Sequence, residues 1–197
     1  MSPGTSVSAA APRFDGERLR LLGICGSLRH RAYSQLVLEA LKAESASVVE
    51  HDQADIGALP HFNQDLYVEP FPEAVALFRQ QVANAQGLII SSPEYNHGIP
   101  GVLKNALDWA SRPHNGSPLR GKHCLIITSS PALTGGVRAQ YQIRETLVSA
   151  LARPARTPEI VIGHVDKKIE DGRFADPVNI RFALEGLKAM LAEIETG

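Results

Sequence analysis

Three groups of residues bring hydroxyls, charged side chains or a thiol close together along the chain. The first is Gly26-Ser27-Leu28-Arg29-His30-Arg31-Ala32-Tyr33-Ser34, directly before a helical stretch. Backbone N–H groups at a helix start, with hydroxyls and an arginine nearby, form a site for a phosphate dianion. The plainer alternative is a solvated turn in which Ser34 only caps the helix. The second group is Ser91-Ser92-Pro93-Glu94-Tyr95-Asn96-His97-Gly98-Ile99-Pro100-Gly101, polar and aromatic, with two prolines and two glycines shaping it. It joins an apolar run to an amphipathic one, and such loops sit at the carboxyl ends of parallel strands, where ligands bind. Tyr95 and His97 stand on this loop rather than on an apolar face, which favours functional roles. The third is Cys25 with Arg31, spaced as C-x5-R like the phosphate loop of cysteine phosphatases, with Asp176-Pro177 resembling their late general acid. Ala32 stands where those enzymes carry Ser or Thr. Asp176 has a sufficient role as an N-cap before Pro177.

The elements that must position these groups follow from hydrophobic periodicity. Apolar runs predict strands over 19–25, 47–52, 87–90, 123–128 and 159–164. Helical spacing predicts helices over 34–43, 72–85, 102–110 and 137–152, and a last one opened by Asp176-Pro177. Short, nearly continuous apolar strands alternating with helices imply a parallel sheet covered on both faces. The fold class expected is α/β, a doubly wound five-stranded parallel sheet with helices on both faces. Residues 1–18 read as a disordered tail and 19–197 as one domain. Trp109 reads as core or interface, and Lys104 with Asp108 as a surface i,i+4 pair of small worth.

Composition narrows the function classes. The formal net charge is −1 over 197 residues, with charges well mixed, which argues against nucleic acid or an anionic membrane as partner. No run approaches the ~20 apolar residues of a membrane span. Cys25 and Cys124 lie in apolar runs and read as buried, reduced thiols of a cytoplasmic protein. His51, His61, His114, His123 and His164 show no ligand spacing, and no metal site is expected. The G-x-G-x-x-G and G-x-x-x-x-G-K-[ST] nucleotide motifs are both absent.

Three separated segments together carry a resemblance. Gly26-Ser27-Leu28-Arg29, then Ser92-Pro93-Glu94-Tyr95-Asn96 through Pro100-Gly101-Val102-Leu103-Lys104-Asn105-Ala106-Leu107-Asp108-Trp109, then Ser129-Ser130 with Gly135-Gly136 follow in one order. In these the chain resembles the NADPH-dependent FMN reductase family, flavodoxin-like flavoenzymes that include quinone, chromate and azo-dye reductases. The resemblance implies that Ser27, Arg29, Tyr33 and Ser34 surround the FMN phosphate. It implies that Pro93, Glu94, Tyr95 and Asn96 border the isoalloxazine, largely through backbone groups, with His97 and Gly98 at its edge. Ser129 would close the ribityl or ring side. Many members carry serine at the position of Ala32 and asparagine at that of Ser34, so the phosphate here is short of one hydroxyl.

The function so implied is an FMN-dependent NAD(P)H oxidoreductase. Electrons would pass from NADPH or NADH through flavin N5 to a quinone-like acceptor, FMN or another small oxidant, by ping-pong exchange. Backbone N–H groups of residues 94–98 would stabilise the reduced ring, and no side chain is needed as an obligatory acid or base. A homodimer or homotetramer is implied as well. Two alternatives stay open at this point: a flavodoxin-type electron carrier, and the phosphatase using Cys25 and Arg31.

Overall fold

A computed structural model describes residues 18–197. The tail expected over 1–18 lies, apart from Arg18, outside the described residues. Arg18 itself donates to the Ala46 carbonyl at 2.7 Å.

The sheet is parallel throughout. β1 (Leu19–Cys25), β2 (Val49–Gln53), β3 (Gly87–Ser92), β4 (His123–Ser129) and the short β5 (Arg153–Pro154) run in the order β2-β1-β3-β4-β5. β6 (Ile160–Ile162) pairs with β4 beyond β5, so two segments share the fifth strand position. This corrects the single strand expected over 159–164. The chain leaves the edge after Pro154 and returns at Ile160. Between them Ala155 keeps a bond to the Cys124 carbonyl at 2.9 Å.

The central strands β1, β3 and β4 are buried on both faces, apart from Arg20, because helices cover both. Leu22, Ile24, Leu88, Ile90 and Ile126 pack under α2 (Glu73–Asn84), α3 (Gly101–Ala110) and α4 (Val137–Ser149). Leu21, Ile89, Leu125 and Ile127 pack under α1 (Tyr33–Ser45) and α5 (Pro177–Thr196). Alternate residues of one strand thus serve opposite cores, as period-two geometry requires. Asp176 caps α5, accepting from Val178 N at 2.9 Å and Asn179 N at 3.1 Å. Burial would raise its pKa, but the bonds from Asn179 and Lys168 outweigh this and hold it below the usual range.

A hairpin absent from the pattern reading follows β6. β7 (Ile169–Glu170) and β8 (Arg173–Phe174) turn through Asp171 and Gly172, both at positive φ, and β8 packs on α1.

The segment before α2 is held by α3. Asn105 donates to the Pro60 carbonyl at 3.0 Å and accepts from Phe62 N at 2.7 Å, while Trp109 Nε1 donates to Pro60 at 2.8 Å. Trp109 is fully buried, and the Phe62 ring meets it edge-on at 5.0 Å. The Trp109 position is core, as expected. Lys104 and Asp108 pair at 2.6 Å on the exposed side of the same helix.

Candidate active site

The loop after β1 is turned sharply against β3. Gly26 N donates to the Ser91 carbonyl at 2.8 Å. A Cβ there would fall 2.4 Å from Ser92 Oγ, so the close approach requires glycine. The loop then delivers α1 with Ala32 at the N-cap, which makes no side-chain cap bond. Ser34, the alternative cap considered from the pattern, is the second helical residue. Its hydroxyl lies 3.4 Å from Cys25 Sγ, and its carbonyl accepts from Ser91 Oγ at 2.8 Å.

Because Ala32 does not cap, the N–H groups of Tyr33 and Ser34 have no hydrogen-bond partner among the described residues. Both residues line a cleft of about 240 Å³, together with Ser27, Arg29, Ala32, Pro93, Glu94, Tyr95, Ser129, Ser130 and Pro131. The Arg29 guanidinium lies 4.9 Å from the Tyr33 ring centre and donates to the Arg31 carbonyl at 3.2 Å. An uncapped helix start with a guanidinium beside it is matched to a dianion.

The loop after β3 is organised differently. β3 continues through Ser92, two residues past the expected strand end. Tyr95 and Gly98 exchange both backbone hydrogen bonds, at 3.1 and 3.0 Å, around Asn96 and His97. Those two residues sit at φ 49° and 66°, the two-residue primed turn.

The loop is fastened to α4 by two side chains. The Glu94 carboxylate accepts from Arg138 N at 2.9 Å and Ala139 N at 3.1 Å, with the Arg138 guanidinium 3.4 Å away. Gln142 Oε1 accepts from Ile99 N at 2.9 Å. The residue before α4 is Gly136, at φ 91°, which has no side chain to cap with. Glu94, only 9% exposed, supplies that cap from another loop.

The Glu94 carboxylate is therefore committed within the protein. Tyr95, Gly98 and Ile99 have also spent their N–H groups. Within residues 94–98 the amides of Glu94, Asn96 and His97 have no partner among the described residues. The expected row of ring-facing amides narrows to those three. Pro93, Glu94 and Tyr95 line the cleft, while Asn96, His97 and Gly98 form the turn beyond its lining.

The third loop closes the other side. Ser130 N donates to the Ile162 carbonyl at 3.0 Å and Val165 N donates to Ser130 at 3.2 Å, which pins the loop to β6. Ser129 Oγ, on the cleft, is buried and unpartnered. Buried hydroxyls seldom go without a partner, so it is left to meet a polar ligand there.

The thiol and guanidinium of the C-x5-R spacing do not converge on one another. Cys25 Sγ donates to the Ser27 carbonyl at 3.4 Å, and the Arg31 guanidinium is turned outward onto the Gly172 carbonyl at 3.5 Å. Asp176 is occupied as the α5 cap and pairs with Lys168 at 3.0 Å. Burial pushes the other thiol, Cys124, up to about 12. Among the described residues no cluster of His, Cys, Asp or Glu is arranged to hold a metal.

Some of the site's supports carry no local sequence signal. Glu94 and Arg138 are 44 residues apart, and Arg31 and Gly172 are 141 apart. A helix opened by glycine with no capping side chain was the one available hint that α4 must be capped from elsewhere.

A parallel 2-1-3-4-5 sheet with three polar loops meeting at its carboxyl end defines a flavodoxin-like α/β protein with its ligand cleft at that end. Comparison with known proteins agrees. A family model of NADPH-dependent FMN reductases matches residues 19–167. An NAD(P)H-dependent FMN reductase of Pseudomonas aeruginosa is 39% identical over 159 residues, covering 80% of this chain and 85% of its own. A quinone reductase of Escherichia coli is 37% identical over 156 residues, covering 78% and 82%. Among solved structures, FerB, a flavoenzyme NAD(P)H:(acceptor) oxidoreductase of Paracoccus denitrificans, superposes with a TM-score of 0.79 at 27% identity, covering 90% and 98%. The chain belongs to the NADPH-dependent FMN reductase family. It is an FMN-dependent oxidoreductase with NAD(P)H as electron donor.

Proposed function

We propose that the chain passes electrons from NAD(P)H, through FMN in the cleft, to a quinone-like acceptor. The observation that carries this reading is the uncapped start of α1 beside Arg29, facing a cleft with an unpartnered Ser129 hydroxyl. Tyr33 N, Ser34 N, Ser27 Oγ and Arg29 would hold the phosphate; Ser129 would meet the ribityl or ring side. Pro93, Glu94 and Tyr95 would border the ring, and the Asn96 and His97 amides would face its polar edge, with Gly98 closing the turn behind them.

When bound, FMN supplies a two-electron store that NAD(P)H fills and a small oxidant empties. The chain's own part is to orient that store, to present N–H donors where negative charge gathers, and to leave one open face for donor and acceptor in turn. No side chain lining the cleft is placed as an obligatory acid or base. The relatives named quinone reductases support the choice of acceptor.

A cytoplasmic homodimer or homotetramer completes the reading. Tyr141 and Val148, each 56% exposed and seven residues apart on one face of α4, offer a second copy an apolar surface. Two free buried thiols suit a reducing compartment. No helix of the described residues is long and apolar enough to cross a membrane.

Anaerobic mixing tests the proposal. The FMN-loaded protein should bleach on addition of NADPH or NADH and recover its yellow colour when benzoquinone follows. A protein that stays yellow with both nucleotides is an electron carrier and overturns it.

A further inference from the structure

The cleft contains one contact that joins the two ends of the proposed cofactor site. Tyr95, on the loop assigned to the ring, reaches back so that its hydroxyl lies 3.1 Å from Ser27 Oγ, on the loop assigned to the phosphate. Ser27 Oγ also accepts from Arg29 N at 3.3 Å. We propose that the Tyr95 hydroxyl positions Ser27 for the phosphate, so that this chain selects phosphorylated over unphosphorylated flavin partly through a residue of its ring loop. The inference rests on the placement of FMN given above.

Protons and lone pairs decide which way Ser27 points. A serine hydroxyl has one donor proton and two acceptor lone pairs. Arg29 N–H occupies one lone pair. A phenol is the more acidic of the two hydroxyls, so Tyr95 donates and occupies the second. Ser27 is then left with its proton alone, which must point away from both partners, toward the remaining open direction in the cleft. That is the arrangement a phosphate oxygen requires: a donor already aimed, with no competing acceptor. Without the phenol hydroxyl, the Ser27 proton can rotate, and part of its orientation has to be fixed when ligand binds.

Ala32 makes this contact matter more. It puts no hydroxyl at the α1 N-cap, and the Ser34 hydroxyl is engaged with Cys25. Ser27 is therefore the hydroxyl best placed to donate, and Tyr95 is its orienting partner. Tyr95 is half-exposed, and Tyr95→Phe keeps its ring, so the substitution removes the hydroxyl alone.

Flavin-fluorescence titration of the apoprotein with FMN and with riboflavin tests this. Tyr95→Phe should weaken FMN roughly three- to tenfold, the worth of one neutral hydrogen bond, and leave riboflavin unchanged. In a Ser27→Ala background the same substitution should cost nothing further, since the group it orients is gone. Equal losses for FMN and riboflavin would show Tyr95 acting on the ring by packing, and would overturn the inference. So would unchanged FMN binding, or full additivity with Ser27→Ala. A wild-type protein that binds FMN no better than riboflavin would overturn the phosphate placement itself, and this inference with it.

Discussion

The loops at the two ends of the cleft are built on opposite plans. Residues 93–99 are held by the protein's own bonds: a closed two-residue turn, the Glu94 cap on α4 and the Gln142 bond to Ile99. Residues 26–34 leave the Tyr33 and Ser34 N–H groups unspent at the uncapped start of α1, with Arg29 exposed beside them. The difference follows from what each end has to recognise. A flat ring is read by shape, which requires backbone fixed before the ligand arrives. A phosphate is read by charge and hydrogen bonds, which requires donors that no protein acceptor has claimed.

Substitutions at each end should therefore fail in different ways. Arg29→Ala should cost the most. Losing a bond to a charged group, about 1.5–3 kcal/mol, should weaken FMN roughly 10- to 150-fold while sparing riboflavin. Retention of FMN through gel filtration, equal to wild type, would remove Arg29 from the phosphate site. Glu94→Ala comes next and should lack that selectivity. Loss of the α4 cap should lower stability in urea by about 0.5–2 kcal/mol, and weaken FMN and riboflavin alike because the ring loop loosens. A phosphate-selective loss there would break the contrast between the loops.

Ala32→Ser should change least, yet it asks most directly whether the phosphate uses the start of α1. The backbone at this position is already extended, at φ −57° and ψ 143°, as an N-cap needs. A new hydroxyl should accept from Ser34 N and raise the Tm of the apoprotein by roughly 2–4 °C, for about 1 kcal/mol. With FMN bound the gain should shrink, since hydroxyl and phosphate then compete for the same N–H. A gain of equal size in both states would mean that the phosphate does not use this helix start.

The contrast also accounts for what could be read from sequence. The sheet was legible because three of its strands, β1, β3 and β4, are largely apolar, and the three site loops follow them in order. The split fifth strand was not, since each of its two pieces is only two or three residues long. The phosphate loop was legible as a set of donors because its chemistry is local. The ring loop's composition was equally plain, but its anchoring was not. Glu94 reads only as a residue bordering the ring until the fold brings the Arg138 and Ala139 amides within reach of its carboxylate. Likewise Ser34 reads as a cap until β1 places Cys25 against its hydroxyl, and Asn105 and Trp109 acquire their purpose only when Pro60 arrives across α3.

The interrupted edge of the sheet has a consequence for the behaviour of the empty protein. At one side, β5 and β6 are two and three residues long and separated by residues 155–159, so no continuous row of free backbone groups is presented. At the other, β2 carries Glu50 and Asp52, to which Arg18 and Arg20 of the neighbouring segment reach. Short, charged or broken edges are poor templates for a strand from another molecule. The apoprotein can thus await its cofactor with open donors at one end of its sheet and no sticky margin along either side.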